Sequence, residues 1–127
     1  MNFARWVFRI SGVVGALMLL PLYFLEQQIG NDLPPPITHP EFYYGFIGVT
    51  LAWQLAFIVI SVDPPRFRPL MPAAMVEKFS FSIAVFILAG MGRVATLWLA
   101  AGVLDFTWGV LFVISYLRCP APRVASW

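Results

Sequence analysis

From Phe42 to Val62 the chain runs without one charged side chain. A helix that crosses a hydrocarbon core of about 30 Å needs roughly 20 mainly apolar residues, and this stretch supplies them. Three more stretches share its character, so the sequence predicts four spans, at about 6–25, 42–62, 72–91 and 94–117. No charge falls between Arg9 and Glu26 in the first. The third carries Glu77 and Lys78 in its early turns, and Asp105 alone interrupts the fourth. Soluble helices keep a polar face, and neither Ile10–Leu25 nor Leu51–Ile60 offers one.

Composition excludes several other classes. Hydrophobic residues make up 61% of the chain and charged ones 11%, with a mean hydropathy of +0.83, whereas soluble domains carry about a quarter charged residues. A net charge of +2 gives no purchase on nucleic acid. The single cysteine, Cys119, cannot close an internal disulfide, and the single histidine, His39, cannot provide bis-histidine haem ligation within one chain. The sequence calls for no cofactor and no metal. His39 and Glu41 are too few for a metal site, and they read better as the start of a helix that Pro40 opens.

The connections fix an expected topology. All prolines except Pro21 lie in connections or at helix starts, where a missing N–H does no harm; Pro21 is expected to kink the first span. Arg5 and Arg9 before an apolar run suggest a signal peptide, but no small-x-small cleavage site follows, so the run is read as a span. Arg5, Arg9, Arg66, Arg68, Lys78, Arg118 and Arg123 fall on one side of the spans, against Arg93 on the other. Positive residues are retained on the cytoplasmic side. Both termini and the 62–72 loop are therefore expected in the cytoplasm, with the 26–41 loop outside. Trp6, Tyr23, Tyr43, Tyr44, Trp98 and Tyr116 lie near span ends, as interfacial anchors do. The expected fold is all-α: one domain over 1–127, four transmembrane helices in an up-down-up-down antiparallel bundle. Ser11, Gly12, Gly15, Ala16, Gly45, Gly48, Ala52, Ala101, Gly102 and Gly109 offer small faces for close helix approach. Such faces serve packing either within one chain or between copies.

Asp105 is the most informative single residue. Counted from the start of the fourth span it lies about 16 Å deep, and a charge at that depth costs about 2.5–3.5 kcal/mol on insertion scales. An intramembrane acid is either a functional group or an interhelical hydrogen-bonding group that sets register. Gln54 is its expected partner by depth, and Thr50, Gln54, Phe57 and Ser61 share a helix face. Together with Thr107 and Trp108 they would line a small pocket around Asp105. Glu77 shares a face with Ser80 and Ala84; pairing with Arg9, Arg66 or Arg68 is its expected state, while Lys78 is expected to snorkel outward. The alternative makes Glu77 a proton acceptor facing the cytoplasm. Gly90-Met91-Gly92-Arg93 reads as a tight turn.

The strings His39-Pro-Glu-Phe-Tyr-Tyr-Gly-Phe, Ala52-Trp-Gln, Asp63-Pro-Pro-Arg-Phe-Arg-Pro and Glu77-Lys-Phe resemble those of small bacterial four-span membrane proteins. That resemblance implies a bacterial inner-membrane location and brings no activity with it. In size and layout the chain resembles DoxX-like proteins. More distantly it is similar to the sterol-isomerase-like EXPERA group, which uses acids within the bundle to handle apolar ligands. Three functional expectations follow. The leading one is a non-catalytic accessory or scaffold subunit, packing in lipid on a membrane-protein partner or on further copies of itself. The second is an apolar-ligand binder, or an isomerase with Asp105 and Glu77 as acid and base. The third is an oligomeric proton or small-solute transporter using Asp105, Glu77 and Gln54.

Overall fold

The computed structural model describes residues 2–122; Arg123, counted above among the positive residues, lies outside the described residues. The elements are α1 (Asn2–Leu19), a 3-10 turn (Leu20–Phe24), α2 (Glu26–Asp32), α3 (Pro40–Val62), α4 (Pro64–Phe67), a second 3-10 turn (Arg68–Leu70), α5 (Met71–Gly90) and α6 (Trp98–Arg118). No strand occurs among the described residues. Four helical segments are long and apolar enough to cross a membrane: Asn2–Phe24, Pro40–Val62, Pro64–Gly90 and Trp98–Arg118. The chain is thus compatible with a small integral membrane protein that crosses the bilayer several times.

Local chemistry sets the boundaries. Pro21 lacks an N–H and crowds the carbonyl four residues back, and α1 gives way after Leu19 to the tighter 3-10 winding of Leu20–Phe24. The first span continues through the proline by changing its winding. Pro40 opens α3, with Glu41 in the first turn, where the helix's positive end favours an acid. Asp63 breaks α3 from α4, its carboxylate accepting the Arg66 N–H at 3.4 Å. After α5 the Arg93 N–H reaches the Leu88 carbonyl and the Gly92 N–H the Ala89 carbonyl. Gly92 takes φ +69° in that turn, a left-handed conformation natural to glycine at a helix end. Two expectations need correction. The 26–41 connection holds α2, and the helix of the fourth span starts at Trp98, because Arg93–Leu97 lie outside it as irregular backbone ending in a turn.

Helix packing follows the small residues. α1 packs most closely on α3, α5 on α6, and α1 more lightly on α6, while α3 and α5 barely touch. A Cβ on Gly12 would stand 2.7 Å from the Gln54 backbone oxygen, and one on Gly15 would collide with the Gln54 amide oxygen. On α6, a Cβ at Gly109 would stand 2.8 Å from the Phe79 ring and one at Gly102 3.0 Å from Phe86. These four glycines therefore serve packing within the chain. As numbers rise along α1 they fall along α3: Arg9 meets Ser61, Gly12 meets Ile58 and Gln54, and Tyr23 stacks near Tyr44.

The core is not uniform along the bundle. Phe8, Phe57 and Phe112 are fully buried. The Phe8 and Phe112 rings stack at 4.2 Å, with Phe57 edge-on to both. Ala4, Ile60, Met71, Ala74 and Cys119 complete this dense region. Beyond it, toward Leu22 and Trp98, the four spans part around a cavity.

Candidate functional site

The cavity begins where the aromatic cluster ends. It is a half-open space of about 240 Å³ that draws its wall from all four spans: Ser11, Gly15 and Leu19 of α1, Phe46, Thr50 and Gln54 of α3, Lys78 and Phe81 of α5, Trp98, Ala101, Asp105 and Trp108 of α6, with the exposed Met18 and Leu104 also lining it. The wall is mostly apolar with a few polar groups placed in it, the usual make-up of a small-molecule site.

Lys78 is the centre of its electrostatics. It lies on the buried stripe of α5 with Met71, Ala74, Ser82 and Val85, and only 4% of its surface is exposed. Its Nζ stands 3.4 Å from Asp105 Oδ1, 3.7 Å from Glu77 Oε2 and 5.2 Å from the centroid of the Phe57 ring. The expectation that Lys78 snorkels outward is therefore corrected. Its helical phase aims the stem between α5 and α6, and there Asp105 makes burial of the ammonium tolerable. An unpaired buried charge would be very costly; a paired one with hydrogen bonds is close to neutral overall.

Asp105 is thus partnered by Lys78, with the hydrogen bond running from Nζ to Oδ1, and the expected pairing with Gln54 is replaced. Gln54 spends its Nε2 on the Thr50 carbonyl at 3.0 Å. Its Oε1 has no partner, and neither has Ser11 Oγ. Both side chains are 1% exposed. Buried polar atoms are nearly always hydrogen-bonded, so two orphans in one cavity wall call for an explanation.

Glu77 is the second carboxylate near Lys78. It lines a lateral groove of about 610 Å³ between α3 and α5, along with Val49, Trp53, Val76 and Ser80. Its Oε2 lies within ion-pair range of Lys78 but makes no hydrogen bond. The arginines named as its expected partners are engaged elsewhere. Arg9 donates to Ser61, Arg66 lies near the Phe67 ring, and Arg68 donates to the Tyr116 carbonyl while stacking on that ring.

Of the residues expected from sequence, the structure brings Asp105, Gln54, Thr50 and Trp108 into one wall and leaves Glu77 on the groove. Thr107 turns away, exposed, and donates to the Val103 carbonyl. Lys78 and Ser11 were missed. The signal for Lys78 was its four-residue spacing from Ala74 and Ser82, a small-residue stripe whose phase places the lysine inside. Outside this site, His39 and Glu41 pair at the surface, 3.1 Å apart. Among the described residues no three potential metal ligands gather. Cys119 lies beyond α6, and burial pushes its thiol above the ordinary value. Compared with known protein families, characterised proteins and solved structures, the chain matches none.

Proposed function

We propose that this chain is a multi-pass protein of a bacterial inner membrane, an up-down-up-down bundle with both termini in the cytoplasm, that binds an amphiphilic molecule in its interior. One observation carries the reading: a cavity between the helices is walled by a buried lysine paired with a half-buried aspartate and by two buried, unpartnered polar side chains. The falling partner numbers between α1 and α3 support the topology, and the arginine distribution supports the orientation. Bundle interiors are a common place for ligand sites.

Binding is better supported than either catalysis or scaffolding. An acid–base pair would need Asp105 and Glu77 to face one substrate, whereas Asp105 lines the cavity and Glu77 the lateral groove. A scaffold would present its small-residue faces to a partner, and the closest-packed of these are used between the chain's own helices. Native mass spectrometry of the protein released gently from its own membrane tests the reading, with Ala101→Phe, which fills the cavity, as control. The reading predicts a retained small molecule that the variant loses. A chain that carries only a protein partner, or no added mass, contradicts it and returns the scaffold reading to the front.

A further inference from the structure

The cavity and the lateral groove share three residues, Phe46, Thr50 and Phe81. The Phe46 and Phe81 rings stand 5.9 Å apart at 28°, one from α3 and one from α5. This is the seam where the bundle is least closed, because α3 and α5 pack so lightly. Groove and cavity are therefore neighbouring compartments divided by one aromatic pair. The groove meets lipid, and the cavity holds the polar groups.

The charges in the wall select the head that fits. Lys78, the buried cation there, already faces two carboxylates. An anionic head finds no free positive charge and would be repelled by Asp105. A cationic head would be set against Lys78. The wall's two unpartnered polar atoms are Gln54 Oε1 and Ser11 Oγ. Gln54 Oε1 can only accept, since the Nε2 of the same amide is committed to Thr50, and Ser11 Oγ can accept or donate. A hydroxyl meets both needs at once. Each liquid water occupies about 30 Å³, so a cavity of about 240 Å³ has room for a compact head but not for a whole lipid.

We infer that the bound molecule is a neutral long-chain alcohol or phenol. Its hydroxyl donates to Gln54 Oε1, and its hydrocarbon chain leaves past the stacked Phe46 and Phe81 rings, which part to admit it, into the α3–α5 groove. This rests on the binding reading given above and adds the class of ligand and its route.

The test uses three probes that share one chain length, hexadecanol, hexadecanoate and hexadecylamine. Each is offered at equal mole fraction to the full chain in phosphatidylcholine nanodiscs, and retention is read by native mass spectrometry. Hexadecanol should be retained about tenfold better than the other two, and Gln54→Leu should erase that preference, as loss of one buried hydrogen bond implies. Ser11→Ala, which removes an unpartnered hydroxyl without changing shape, provides a second variant should Gln54→Leu fold poorly, and should weaken hexadecanol retention in the same direction. Equal retention of all three, or preference for the acid or the amine, overturns the hydroxyl inference while the cavity remains a binding site. Loss of all three on Ala101→Phe identifies that case. No retention of any probe overturns the inference and the binding reading together.

Discussion

The two halves of the bundle are built to opposite rules. In the half that holds Phe8, Phe57 and Phe112, three aromatic rings fill the axis. In the half bounded by Leu22 and Trp98, the same four helices part around a space lined by Lys78, Asp105, Gln54 and Ser11. Lipid gives helices no hydrophobic drive to associate, so packing and polar contacts must hold them. The filled half supplies the packing, which leaves the other half able to stay open. Lys78 sits at the border, its ammonium near the Phe57 ring on one side and Asp105 on the other.

The largest break in this comparison should come from splitting the charge pair. Asp105→Leu leaves the Lys78 ammonium buried opposite only Glu77 and should cost about 3–5 kcal/mol, read by detergent-denaturation midpoint. The triple variant Asp105→Leu, Lys78→Met and Glu77→Gln should recover most of that, because it leaves no charge of the cluster buried without a partner. Failure of the added changes to rescue the first would mean that the cluster holds the fold by more than charge balance.

Next in size is the filled half itself. Phe57→Ala should cost about 3 kcal/mol through the void it opens, with the added mark that it also removes the ring beside Lys78. Gly12→Ala follows at about 1–3 kcal/mol, because its Cβ would press on the Gln54 backbone oxygen, which cannot turn aside, as well as on the Ile58 side chain. Gly45→Ala, where a Cβ meets nothing, should be stabilising by about 0.5–1 kcal/mol. That contrast separates glycines needed for close approach from those that are not.

The smallest expected effect is chemical. Burial raises the Cys119 thiol above its ordinary value, and the thiolate is the reactive form. Maleimide labelling of Cys119 at neutral pH should therefore be slow in the intact bundle and rise on unfolding. Rapid labelling of the folded protein would show that the filled half opens at its end.

The four spans were legible in the sequence because lipid imposes a rule on every residue it touches, and Phe42–Val62 obeys it without exception. The exits from the helices were legible too, since Pro40, Asp63-Pro64 and Gly92 each act locally. The site was legible only in part. Asp105 stands out as a lone charge in an apolar run, and Gln54 and Thr50 share its side of the bundle by helical phase. Lys78 was misread because sequence shows its distance from the span's end and not which neighbour its stem meets. Pairing Glu77 with an arginine failed for the same reason. The arginines' own partners, such as Ser61 and the Tyr116 carbonyl, are far away in the chain. Ser11 looked like one more small packing residue until the cavity beside it appeared.

The most direct test of the account is to ask which half meets the bound molecule. Nuclear Overhauser contacts can be recorded between the protein and a fully protonated hexadecanol in deuterated lipid nanodiscs. The account predicts contacts from the Trp98 and Trp108 indoles and the Gln54 amide, and none from Phe8 or Phe112. Contacts confined to outward-facing side chains such as Leu17 and Leu117, with none from Trp108 or Gln54, would contradict it.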